Sequence, residues 1–210
     1  MEPPYDAVRA SQALAAADPR LADAIAAVGP PALALRPDET FPALFRAVVY
    51  QQLSGKAAAT IWGRVCDAFG EPPDAAAVAS APDDALRACG LSRAKAASAR
   101  DLAARQLDGR LPTRRALEAM PDAEVVRTLT AARGVGPWTA QMLLLFNLGR
   151  PDVWPTTDLG VQEGYRIVAG LAERPTPRAL AEAGEPYRPW RSVAAWYLWR
   201  AVDAARDGRL

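Results

Sequence analysis

The chain has 210 residues, half of them apolar, with 25 basic against 24 acidic side chains and a net charge of +1. That is enough for one globular unit with a substantial core, or for two small lobes, and the charge balance does not by itself announce a nucleic-acid partner. Histidine is absent and there are two cysteines, Cys66 and Cys89. This disfavours zinc hydrolases, His-carboxylate iron oxygenases, Ser-His-Asp hydrolases, four-thiolate clusters and CxxC redox pairs. Acid-base chemistry is left to Asp, Glu, Lys, Tyr or Cys, and the two cysteines read as buried free thiols. All basic residues except Lys56 and Lys95 are arginines, the better partners for phosphates and stacked bases. Met1 leads into Glu2, Pro3 and Pro4 rather than a basic and then apolar segment, and no stretch is long enough to span a bilayer, so a soluble cytoplasmic protein without a membrane partner is expected.

In chain order the punctuation is helical: a Ser, Thr or Asp before an apolar-periodic run and a Gly just after it. Asp18 with Pro19 opens a helix stopped at Gly29. Thr40 is expected to cap a second one, carrying Phe41, Leu44, Phe45, Val48 and Val49. Ser54 opens a third, stopped at Gly70. A short helix from Pro82 to Cys89 ends at Gly90, and Ser92 opens another that stops at Gly109. Glu124 to Ala132 has Val125, Val126 and Leu129 at helical spacing, Trp138 to Phe146 is strongly apolar, and Asp158 precedes a helix from Leu159 to Val168. Alternating strands are not evident and alanine is abundant, so the fold class is all-α. The segments 29–37, 71–74 and 174–177 read as connections within a compact structure.

The stretch Arg133-Gly134-Val135-Gly136-Pro137 joins two of these helices in a tight hairpin. Its glycines tolerate positive φ and bare the backbone N–H groups at the start of the second helix, where the helix dipole favours a phosphate. A bare Gly-x-Gly is weak evidence, since an ordinary αα-turn has the same pattern. The residues downstream add weight. The hairpin, the loop Leu148-Gly149-Arg150-Pro151-Asp152-Val153-Trp154-Pro155-Thr156-Thr157 and then Asp158 resemble the signature of the helix-hairpin-helix DNA glycosylase superfamily, and within it the 3-methyladenine DNA glycosylase II group. Arg46 to Ala58, Gly90 to Lys95 and Pro189 to Trp199 are similar to further parts of that family in the same order. The chain resembles the compact form without an N-terminal β-rich domain.

The resemblance implies two helical lobes with a DNA-binding cleft between them: 42–148 as the hairpin lobe, and 1–41 with 149–210 as the second. It implies base excision from double-stranded DNA containing alkylated purines, by a monomer associated with the nucleoid. Asp158, which on its own reads as a helix N-cap, would be the catalytic carboxylate, facing the sugar of the flipped nucleotide. Trp138 and Trp199 would receive the cationic base, although both could equally be core aromatics. Met142 stands where some relatives carry an aromatic pocket residue, and Thr156-Thr157-Asp158 has one carboxylate where some have two. Gln52, next to Leu53, falls at the position that fills the gap in the duplex, the alternative being a plain helix end. Gly134 and Gly136 would offer N–H groups to phosphate, with Arg133, Arg191 and Lys95 as further phosphate partners or as solvated surface. No cofactor or catalytic metal is required; carbonyls of the hairpin can hold a structural monovalent cation. Two alternatives stay open: a bifunctional glycosylase/lyase for oxidised or mismatched bases, and a non-catalytic hairpin module that only grips DNA.

Overall fold

A computed structural model describes residues 1–210, and every regular element in it is a helix. The helices are α1 (Ala7–Ala17), α2 (Pro19–Val28), α3 (Thr40–Tyr50), α4 (Gly55–Phe69), α5 (Ala75–Ser80), α6 (Asp83–Ala88), α7 (Arg93–Leu107), α8 (Arg114–Glu118), α9 (Asp122–Leu129), α10 (Pro137–Phe146), α11 (Leu159–Val168), α12 (Pro177–Ala183) and α13 (Arg191–Arg206), with a 3-10 turn at Glu185–Tyr187. Most begin at a side chain that replaces a missing intrahelical acceptor. Asp6, Asp18, Ser54, Asp74, Ser92, Thr113, Asp158 and Thr176 each accept a bond from an amide in the first turn. Four of these mark α1, α5, α8 and α12, which the periodicity of short alanine-rich segments does not reveal.

The expected stops at Gly29, Gly70 and Gly109 are present, each glycine having positive φ. Two expected boundaries move. Thr40 does not cap α3 but is its first residue, with Glu39 at the N-cap making no capping bond, and the buried Thr40 hydroxyl has no partner. The helix before the hairpin runs Asp122–Leu129 rather than 124–132, because Pro121 sets its start and Thr130 to Ala132 close into a turn.

The chain divides into two compact units, one of Met1–Arg36 with Leu144–Leu210, the other of Pro37–Leu143. The division lies a few residues from that expected at 42 and 148. Glu39 accepts from the amide of Arg114, which ties the lead-in of α3 to the second unit. At the other boundary the ring of Phe146 stacks on Trp199 and its carbonyl accepts from Arg36, which ties the end of α10 to the first.

In the first unit α1, α2, α11, α12 and α13 enclose Leu14, Leu21, Val161, Tyr165, Leu180, Tyr197 and Leu198. Asp18 both caps α2 and accepts from the Tyr187 hydroxyl at 2.7 Å. The closest helix pair is α11 on α13: a Cβ on Gly164 would lie 2.1 Å from the carbonyl oxygen of Leu198, so the backbones touch where only glycine fits. In the second unit α3 buries Phe41, Leu44, Phe45, Val48 and Val49, the face expected from the sequence, and packs on α7, whose buried residues include Ala96, Ala99, Leu102 and Ala103.

Two glycine substitutions separate these effects. Gly164→Ala forces its new methyl into the Leu198 backbone and should lower the unfolding free energy by about 2–3 kcal/mol. Gly63→Ala, in α4 with nothing within 4 Å of the added Cβ, should raise it by about 0.5–1 kcal/mol through helix propensity. Urea titrations followed by circular dichroism measure both, and a Gly164→Ala protein as stable as the unmodified chain would remove the tight helix contact.

Candidate functional site

The loop between α10 and α11 is pinned before it reaches Asp158. Ser192 donates to the Arg150 carbonyl at 2.6 Å and accepts from the Val153 amide at 2.9 Å, and the Trp154 indole donates to Leu180 O at 2.8 Å. Arg191, expected at a phosphate, has its fork committed inside the chain. Nε and Nη2 meet the two Asp152 carboxylate oxygens at 2.6 and 3.0 Å, and its side chain is only 13% exposed. It anchors the loop, as a planar guanidinium on a carboxylate does.

Asp158 then caps α11. It is 9% exposed, and its Oδ1 accepts from the Val161 amide at 2.8 Å and from the Trp199 indole Nε1 at 2.9 Å. Two donors on one oxygen fix the plane of the carboxylate. Trp199 reaches it only because position 160 is glycine: a Cβ there would lie 2.7 Å from Trp199 Cδ1 and 3.1 Å from Asp158 Oδ1. Phe146 stacks on the same indole with ring centroids 5.7 Å apart. Trp199 is half-buried, with its nitrogen on the carboxylate and one ring face on Phe146, so it holds the carboxylate in place.

The second unit carries the hairpin. Gly134 has φ +77 and a Cβ on it would meet Ser98 Oγ at 2.3 Å, so both its conformation and its contact demand glycine. Gly136 has neither constraint: a Cβ added there would meet nothing within 4 Å. The chain's own packing does not explain that glycine, whereas close approach by an outside group would. Next to Gly134, Arg133 is exposed and its amide donates to Asp101 at 2.8 Å. Burial works against the charge on Asp101, but the Arg133 amide and the Arg105 guanidinium hold its carboxyl below the usual carboxylate range. Trp138 is 39% exposed, and Met142 lies one turn on along the same face of α10.

Beyond α3, Gln52 has φ +56 and is the only non-glycine residue in the left-handed region. It is exposed, as is its neighbour Leu53. Such a conformation costs about 1–3 kcal/mol and persists where the surroundings impose it. The residue before it supplies a link: Gln51 Nε2 donates to the Gly134 carbonyl at 3.0 Å and to Thr139 Oγ1 at 3.2 Å. The carbonyls of Ala132, Gly134 and Gly136 each accept a bond within the chain.

A family model described as "HhH-GPD superfamily base excision DNA repair protein" matches residues 45–189. The chain belongs to the HhH-GPD superfamily. Among its relatives, DNA-3-methyladenine glycosylase 1 of Schizosaccharomyces pombe is 36% identical over 169 residues, 80% of this chain and 74% of the relative. The S. pombe 3-methyladenine DNA glycosylase Mag1, solved in complex with abasic DNA, superposes with a TM-score of 0.84 at 33% identity, covering 91% of this chain and 95% of that one. A DNA-3-methyladenine glycosidase from Bacillus halodurans gives 0.83 at 34% identity, over 94% and 91%.

Within this HhH-GPD chain the structure thus gathers Asp158, Trp199 and Phe146 in one unit, and Gln52, Leu53, Arg133, Gly134, Gly136, Trp138 and Met142 in the other. Gly160, Gln51 and Ser98 escape a sequence reading, since their roles depend on what they lie against. The Gly160-Val161-Gln162-Glu163-Gly164 spacing is the one signal that could have exposed the α11–α13 contact. Gly136→Ala, whose added Cβ meets nothing within 4 Å, should weaken binding to damaged and undamaged duplexes alike, because phosphate contacts carry no base information. Fluorescence anisotropy with both duplexes measures this, and a loss confined to damaged DNA would remove the phosphate role.

Proposed function

We propose that the protein is a monofunctional DNA glycosylase that flips alkylated purines of the 3-methyladenine type out of duplex DNA and hydrolyses their N-glycosidic bond. One observation carries this reading: a buried carboxylate, Asp158, presented at a helix N-terminus and oriented by Val161 N–H and Trp199 Nε1. A module that merely grips DNA would need the hairpin but not this acid. The names of the relatives and the DNA-bound state of Mag1 support it.

An N-alkylated purine carries a positive charge and leaves as a neutral base, so no strong general acid is needed, which suits a chain without histidine. As the C1′–N bond breaks, its electron pair goes to the ring and positive charge develops on the sugar. The Asp158 anion stabilises that charge and orients the attacking water, whose proton is released as the C1′–O bond forms. The half-exposed Trp138 offers an aromatic face to a cationic ring, with Met142, polarisable and adaptable, beside it. Gln52 and Leu53 enter the gap in the stack, and the Gly134–Gly136 turn and Arg133 meet phosphates. The protein acts as a monomer in the cytoplasm and uses no metal or organic cofactor, so base release continues in EDTA.

A lyase needs an amine at C1′ to form a Schiff base. The first turn of α10 offers Trp138 instead, Lys56 lies exposed in α4, and Lys95 is engaged with backbone carbonyls. Water is then the nucleophile and an intact abasic strand the product.

On methylated duplex DNA with products separated by chromatography, Asp158→Asn should lower single-turnover base release by about 10²–10³-fold or more while retaining the helix cap and duplex affinity. Near-normal turnover by this variant would remove the catalytic assignment. Borohydride added during turnover should trap no covalent adduct; efficient trapping that disappears in Lys56→Ala or Lys95→Ala would establish the lyase alternative instead.

A further inference from the structure

α3 ends without the glycine that usually closes a helix. Its last carbonyls need partners, and the chain turns at once through Gln52 in the left-handed region. Lys95, from the first turn of α7, meets this end: Nζ donates to Val49 O at 2.8 Å and to Gln51 O at 2.7 Å. In a chain whose basic residues are otherwise arginines save one, a compact ammonium with three donors stands where a single atom must reach two carbonyls. Burial pushes the Lys95 pKa down, and the carbonyls together with the negative end of the α3 dipole oppose that loss of charge.

The same helix supports the hairpin. One turn beyond Lys95, Ser98 lies directly under Gly134, at the distance where any side chain on that residue would collide. Gln51 closes the circuit by donating to Gly134 O and Thr139 Oγ1. The turn that bears Gln52 and the loop that bears Gly134 and Gly136 therefore share one platform, α7, and one bridging amide.

We propose that Lys95 and Gln51 are positioning residues for base flipping: together they hold Gln52 in its left-handed turn and in fixed register with the phosphate-facing hairpin, so that anchoring the DNA backbone places the side chain that fills the gap. This rests on the glycosylase reading above. Lys95 acts through the turn and not on the reacting atoms, and its effect depends on whether the substrate has a stacked base to displace.

The test compares Lys95→Met and Gln51→Leu on two substrates carrying the same N-methylated purine, one paired within a duplex and one presented as a single-nucleotide bulge already outside the stack. Both variants should slow single-turnover release from the paired duplex by about tenfold, with a clearly smaller loss on the bulge. The fluorescence of 2-aminopurine placed beside the lesion, which rises as the neighbouring base unstacks, should fall in parallel, and Lys95→Arg should recover part of both signals. Circular dichroism checks folding, and Gln51→Leu, which leaves the lysine in place, keeps the test open where Lys95→Met does not fold. Equal losses on paired and bulged substrates, or no loss, would overturn the proposal. If the unmodified protein releases no base from either substrate, the glycosylase reading falls. The brace is then judged by 2-aminopurine fluorescence alone, and equal signals from the unmodified protein and the variants overturn it.

Discussion

The arrangement around Asp158 depends on how closely two helices can approach. α11 presents Gly160 and Gly164 to α13, and the second admits the Leu198 backbone while the first admits the Trp199 indole. Had either position carried a side chain, α13 would stand off and the indole nitrogen could not reach the carboxylate. The orientation of a short, rotatable acid is thereby delegated to the packing of two helices, among the least deformable features of a protein interior. Phe146 on the indole face and Ser192 beneath the preceding loop extend the same rigidity outward.

The second unit has the opposite problem, that of holding exposed residues in costly conformations. Gln52 is strained and Leu53 faces water, and neither gains enough from burial to offset that. The compensation lies beneath, in α7, where Lys95 and Ser98 face the two turns and Asp101 takes the Arg133 amide. The buried residues of α7, three of them alanines, pack it among its neighbouring helices. Polar groups on one helix thus support the irregular backbone of both turns.

The features legible in the sequence are those set by local forces. Capping is local, so Asp18, Ser54, Ser92 and Asp158 announce their helices, as do the stops at Gly29 and Gly70. The apolar face of α3 is local too, set by spacing alone. The hairpin shows only in company: Gly134-Val135-Gly136 alone matches any αα-turn, and the family resemblance rests on it together with the loop that leads to Asp158. Thr40 misleads because a threonine before an apolar run is a good cap in isolation, yet Pro42 and the Glu39 link to Arg114 shift the start of α3 by one residue. Arg191 misleads more instructively. Its residue type suits a phosphate, but Asp152, almost forty positions away, claims it first. Trp199 is legible as a functional aromatic and not as a hydrogen-bond donor to Asp158, because that role exists only once Gly160 has cleared the space.

The two units are not successive along the chain: the second is inserted whole between Arg36 and Leu144 of the first. During synthesis α1 and α2 leave the ribosome long before α11 and α13, the partners that cover them in the finished core. The inserted segment, continuous in sequence, can complete its own core as soon as it has emerged. The unit bearing Asp158 then closes after the other, and its early helices wait with Leu14 and Leu21 uncovered until α13 is made. A ribosome stalled before α13 would carry a chain whose hairpin unit is complete in sequence while Asp158 still lacks Trp199, the donor that orients it.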